Sequence, residues 1–201
     1  MSAREEILSS IRARRLAEVP RPEPYHRPIA EGDPVKQFVD RAGAVATELR
    51  VLDRMSDVPG AVADILRAKN MAARVHLPPD AELGALALAP ALTIEKTTPG
   101  PDDCALAIVP FAIAETGTLA YPARADSPAS WHFRAGLEIA IVRAGNILPQ
   151  MEDVLARIRA KGALPHTINF VTGPSRTGDI EQTLELGAHG PKALAVLIVR
   201  E

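Results

Sequence analysis

Leu137-Glu138-Ile139-Ala140-Ile141-Val142 reads as a buried strand. Further on the period changes. In Leu148-Pro149-Gln150-Met151-Glu152-Asp153-Val154-Leu155-Ala156-Arg157-Ile158-Arg159-Ala160, the residues Met151, Val154, Leu155 and Ile158 share one helical face, and Gly162 supplies a stop. Thr167–Val171 returns to strand, and Ala193–Val199 is a last apolar run of strand length. This alternation predicts an α/β fold: a central, mostly parallel sheet flanked by helices.

The same reading extends toward the N-terminus. Ala105–Val109 follows Asp102-Asp103 and reads as a buried strand. Ala112–Ala114 and Thr118–Tyr121 suggest strand–turn–strand around Glu115-Thr116-Gly117, followed by a loop with Pro122, Pro128 and Trp131. Leu92–Lys96 and Arg74–Leu77 are short strands, while Ala81–Ala91 fits helix and strand alike. Val58–Lys69 is a helix with Val58, Val62, Ile65 and Leu66 inward and Asn70 closing it. Asp33 caps another helix with Pro34 at its first position; Val35, Phe38, Val39, Ala42, Val45 and Leu49 carry it to about Leu52.

Ser2 and Glu5 form a capping box, so a helix is expected from there to about Ala17, with Ile7, Leu8 and Ile11 on the face that docks on the body. Four prolines between Pro20 and Pro28 forbid helix and ladder pairing. Residues 1–32 are therefore expected to be a helical arm with a Pro-rich linker, and residues 33–201 the α/β domain.

Composition narrows the function. A chain of 201 residues can bury roughly 70% of its unfolded surface without staples. Its net charge of −2 argues against a nucleic-acid partner. No apolar run is long enough to span a membrane, and the charged N-terminus lacks the apolar stretch of a secretory signal. Cys104 is the single cysteine, so the chain cannot close an internal disulfide or hold an iron–sulfur cluster on thiolates alone. A reducing, cytoplasmic setting is expected. The histidines lack metal-site spacing, and no metal is expected.

Three stretches carry candidate chemistry. Thr172-Gly173-Pro174-Ser175-Arg176-Thr177-Gly178-Asp179-Ile180-Glu181 follows a buried strand and groups hydroxyls, glycines and a cation. If it leads into a helical turn, its backbone N–H groups make an anion site; otherwise Ser175 and Asp179 bond their own backbone. It is neither a P-loop nor a dinucleotide fingerprint. Ala114-Glu115-Thr116-Gly117-Thr118 ends one apolar segment and begins another. At the C-terminal end of a strand in an open sheet, Glu115 would act as base, nucleophile or ligand anchor; the alternative is a carboxylate satisfied by loop N–H groups. Gly187-Ala188-His189-Gly190-Pro191-Lys192 flanks a histidine with glycines, either a site loop or a tight turn. Trp131-His132-Phe133-Arg134 reads as an aromatic anchor for its loop, with a pocket wall as the other reading.

Ala114–Leu119, Thr172–Glu181 and Leu186–Lys192 together, in that order and spacing, resemble the LUD-domain family, and within it the lactate-utilisation branch. The resemblance covers roughly Asp33 to Glu201. Two small departures are Gly178, where Ala is usual, and Ala188, where Val is common. The resemblance implies a fold akin to the sugar-phosphate isomerase and CoA-transferase superfamily. It implies a part in oxidising L-lactate to pyruvate within a cytoplasmic iron–sulfur system. Two iron–sulfur partner proteins would hold the clusters, and this chain would bind no cofactor itself. Glu115 would then be the catalytic candidate. Thr116, Gly117, Thr118, Gly173, Ser175, Arg176, Thr177, Asp179, Gly187, His189 and Gly190 would bind a small organic acid or a phosphate-like ligand. A stand-alone enzyme acting on a CoA ester, a folate or a sugar phosphate is the second reading.

Overall fold

The computed structural model describes residues 2–14, 22–23, 28, 32–88, 90–162, 164–178, 184–186 and 190–201. Helix α1 (Ala3–Ala13) starts at the expected capping box: Ser2 Oγ accepts from Glu5 N, and Glu5 Oε2 accepts from Ser2 N at 2.7 Å. The expected docking of its apolar face is not seen. No residue of α1 is buried, and Ile7 and Ile11 are each 60% exposed. The linker meets the body at Pro28, whose carbonyl accepts from Gln150 Nε2.

Helix α2 (Pro34–Gly43) begins as predicted, with Asp33 Oδ1 accepting from Val35 N at 2.9 Å. It does not continue to Leu52. The chain turns at Ala44–Ala46, where Ala46 takes a left-handed φ of 62°, and Glu48–Leu52 becomes strand β1. The five residues of β1 pair in parallel with the C-terminal strand, a ladder that outweighs the helical spacing of Val45 and Leu49. Helix α3 (Val58–Ala68) follows, and Asn70 closes it with a φ of 53°. Then come strand β2 (Arg74–His76), helix α4 (Ala81–Gly84) and strand β3 (Thr93–Glu95).

The second half adds β4 (Cys104–Ile108), β5 (Phe111–Ile113), β6 (Thr118–Pro122), helix α5 (Ala129–Phe133), β7 (Leu137–Arg143) and β8 (Ile147–Leu148). Helix α6 (Met151–Ala160), β9 (Ile168–Val171), β10 (Arg176–Gly178), β11 (Leu184–Leu186) and β12 (Ala193–Val199) complete the chain. The central six-stranded sheet runs β1-β12-β7-β4-β2-β3, and every pairing in it is parallel. A second, four-stranded sheet runs β8-β5-β6-β9, with β6 antiparallel to both its neighbours.

Strand alternation sorts the core into layers. Leu137, Ile139 and Ile141 face α3, with Leu106, Leu197, Val62 and Ile65. Ala140, Val142, Val196 and Ile198 face the other way, onto Phe38 and Ala42 of α2 and onto Leu119 and Tyr121 of the second sheet. The far side of that second sheet, Phe111, Ile113 and Ala120, packs on Val154 and Ile158 of α6. Among the described residues no helix is long and apolar enough to cross a membrane.

Cys104 is buried at the start of β4. Burial, then the carboxylates of Glu138 and Asp103, push its thiol up to about 12 from an ordinary 9.0. An unfolded thiol therefore ionises in a range where the native one keeps its proton. Native stability is unaffected below the unfolded value and falls as pH rises toward the folded one. Urea unfolding between about pH 8 and 11 is expected to show that fall, and a shallower one for Cys104→Ala. Identical slopes would exclude a native thiol raised by burial.

Candidate functional site

Glu115-Thr116-Gly117 is the tight turn between β5 and β6, closed by Gly117 N donating to Ile113 O at 3.0 Å. Gly117 has a φ of +67°, and a Cβ there would lie 2.4 Å from the backbone N of Ala42. The turn is thus pressed against the C-terminal end of α2, and only glycine permits it. Gly173 does the same from the end of β9: its φ is +87°, and a Cβ would meet Val45 O at 2.8 Å. Gly117 and Gly173, both expected at a ligand site, bring two turns onto one helix end.

That packing aligns three hydroxyls. Thr116 Oγ1 lies 2.7 Å from Thr118 Oγ1, which lies 2.7 Å from Thr172 Oγ1. Thr118 is buried, and Thr116 and Thr172 are exposed at either end. Each hydroxyl can donate once and accept, so the three form a continuous chain from one turn to the other. Ser175 N donates to Pro191 O at 2.9 Å, and Gly190 lets Ser175 approach, since a Cβ there would stand 3.3 Å from Ser175 Cβ. A cleft of about 180 Å³ opens here, walled by Phe133 and Phe170 and floored by Thr172, Gly173, Ser175 and Gly190. The structure therefore joins the first and third sequence stretches at this cleft, with Thr118 behind it.

Two expectations change. Glu115 does not end a strand of the central sheet; β5 belongs to the second sheet, and Glu115 Oε1 accepts from Met151 N at the start of α6, 3.4 Å away. A carboxylate there complements the N-terminal end of the helix dipole. The segment after Ser175 does not enter a helical turn. Arg176-Thr177-Gly178 is β10, paired antiparallel with β11, so no helix N-terminus is built there for an anion. Arg176 is exposed at the base of that hairpin. Asp179, Gly187 and His189 lie outside the described residues.

A buried polar cluster was not singled out from sequence. Glu138 of β7 is fully buried between the two sheets, on the face of Ala140 and Val142. Its Oε1 accepts from Tyr121 OH at 2.8 Å and lies 3.2 Å from His132 Nδ1. His132 Nε2 is 3.1 Å from Ser127 Oγ. Burial, and then the Glu138 charge, hold the Tyr121 hydroxyl well above its usual range. Glu138 Oε2 has no hydrogen-bond partner among the described residues. One signal was available: a carboxylate inside a strand otherwise apolar on both faces has nowhere to go but the interior. The expected loop contains a short helix, α5, with Trp131 and His132 both buried, as an aromatic anchor requires.

The model of the LUD domain matches residues 103–199. That stretch, just under half of the chain, is similar to a LUD domain. It contains the hydroxyl chain, the cleft and the Glu138 cluster, while β1, β2 and β3 of the central sheet precede it. The chain is similar to "Lactate utilization protein C" of Geobacillus kaustophilus, 35% identical over 100 residues, covering 48% of this chain and 42% of that protein. The protein of that name from Bacillus subtilis is 36% identical over 93 residues, 44% of this chain and 39% of the relative. The matches thus span less than half the length of these relatives. A solved DUF162 family protein from Deinococcus radiodurans shares the fold, with a TM-score of 0.63 at 22% identity over 86% of this chain and 99% of that one.

Gly117→Ala is expected to lower the stability of the chain by about 2 kcal/mol or more, from the left-handed φ and the clash with α2. Gly60→Ala, at an α3 position with nothing within 4 Å of the new Cβ, is expected to raise it by about 0.5–1 kcal/mol. Urea midpoints of the two variants measure both. Equal and small effects would remove Gly117 from its packing role.

Proposed function

We propose that this chain acts in lactate utilisation, as the cluster-free component of a cytoplasmic iron–sulfur system that oxidises L-lactate to pyruvate. The carrying observation is the LUD-domain match together with relatives at 30–38% identity that bear the lactate-utilisation name. With one cysteine, and that one buried, the chain cannot itself supply a set of cluster thiolates. Two iron–sulfur partner proteins would carry the electrons, and this chain would bind ligand or organise the assembly.

The cleft is the ligand site of this reading. At about 180 Å³ it is smaller than a drug-sized pocket, on the scale of a small organic acid. Thr172 and Ser175 offer hydroxyl donors, and Arg176, next in the chain, offers a cation for a carboxylate. Glu115 acts from the neighbouring turn as a positioning group for substrate or partner.

An anaerobic pull-down of the tagged chain from lactate-grown cells tests it, with lactate-dependent reduction of an acceptor dye as the readout. Co-elution of Cys-rich iron–sulfur proteins with dye reduction is expected. Loss of at least about tenfold in rate is expected for the Ser175→Ala, Arg176→Ala double variant, since a charge-assisted contact is removed. A lone, inactive chain would overturn the assembly; full activity of the double variant would overturn the site.

A further inference from the structure

We propose that Ser127, His132 and Glu138 form a nucleophilic relay, and that this chain carries an acyl-ester hydrolase activity at the cavity beside Pro128 and Trp131. The three side chains stand in series: Ser127 Oγ to His132 Nε2 at 3.1 Å, and His132 Nδ1 to Glu138 Oε1 at 3.2 Å. An ionised carboxylate only accepts, so Glu138 holds the proton on Nδ1 and leaves Nε2 with its lone pair toward Ser127. That is the arrangement in which an imidazole takes the proton of a serine hydroxyl.

Burial follows the same order. Ser127 is half-buried, His132 is 2% exposed and Glu138 is 0% exposed. Glu138 keeps one oxygen without a hydrogen-bond partner among the described residues, which is unfavourable in the interior. An apolar residue would fill that place between the sheets without the penalty. A retained carboxylate instead stabilises the imidazolium that forms when His132 is protonated. The loop bearing Ser127 is braced: Arg124 Nη2 reaches Asp80 at 2.7 Å and Asp126 at 2.8 Å, and Ser127 N donates to Arg124 O.

The substrate class follows from the adjoining cavity. It measures about 440 Å³ and is lined chiefly by Leu77, Pro78, Pro79, Pro128 and Trp131, with Lys96 as its cation and with Asp80, whose carboxylate is paired with Arg124. Ser127 immediately precedes Pro128 in the chain. An apolar acyl group fits this lining, and Lys96 suits an anionic substituent on the leaving alcohol. Ser127 Oγ attacks the carbonyl carbon while its proton passes to His132 Nε2. The ester C–O bond then breaks, and the leaving alcohol takes that proton. Water attacks the acyl-serine, gives a proton to His132, and releases the acid as Ser127 recovers its proton.

The test uses the isolated full chain, without lactate or partners, so its outcome is separate from that of the lactate reading. A fluorophosphonate probe is expected to label Ser127, located by peptide mass spectrometry. Ser127→Ala abolishes labelling, and Ser130→Ala leaves it unchanged. His132→Asn slows it by at least about a hundredfold. Glu138 is a positioning residue: Glu138→Gln is expected to lower kcat for p-nitrophenyl butyrate by about a thousandfold or more with KM nearly unchanged. No labelling of the wild-type chain, or labelling that survives Ser127→Ala, overturns the proposal whether or not the His132 and Glu138 variants fold.

Discussion

β7 and β12 pair in parallel along seven residues, Leu137 with Ala193 through Arg143 with Val199, and both are apolar on both faces apart from Glu138 and the terminal Arg143 of β7. Every other layer answers to that constraint. Two wet faces on such strands would expose several large aliphatic side chains, each worth about 1.5–3 kcal/mol on burial. α3 covers one face, and α2 with the second sheet covers the other. The second sheet then has its own far face to bury, which calls α6 into place. The order of layers is a chain of such obligations.

The polar features sit where those layers meet. Glu138 is on the covered face of β7, so its carboxylate is enclosed as soon as the second sheet docks. Tyr121 of β6 and His132 of α5 meet it there from two different elements. The hydroxyl chain forms for a related reason. Gly117 and Gly173 allow the β5–β6 turn and the end of β9 to touch the same end of α2, and this places Thr118 within hydrogen-bond distance of Thr172, 54 residues away. Both arrangements join residues from different elements, brought together by packing.

Errors in reading the sequence have physical causes of the same kind. Val45 and Leu49 keep helical spacing, yet Glu48–Leu52 is extended, because β12 offered an open edge and Ala46 could take the left-handed turn. Phe111–Ile113, Thr118–Pro122 and Ile168–Val171 were legible as strands, but a short apolar run carries no mark of which sheet it joins. The sequence therefore suggests Glu115 at the C-terminal end of a central-sheet strand, whereas β5 lies in the second sheet. The motif at Thr172–Gly178 showed its turn and its glycine, and hid the hairpin that follows.

What the residues alone determined is local or periodic. The caps at Ser2 and Asp33, the stop at Asn70, the turn at Gly117 and the parallel α/β alternation all follow from short-range sterics, hydrogen bonding and the spacing of apolar side chains. The likeness of three motifs to the LUD domain is legible in the residues as well. The tertiary structure alone decided which turns share a helix end, which strands form the second sheet, and which polar side chains meet inside. Those pairings join residues far apart in sequence, and they are selected by burial of surfaces that exist only once the layers have assembled.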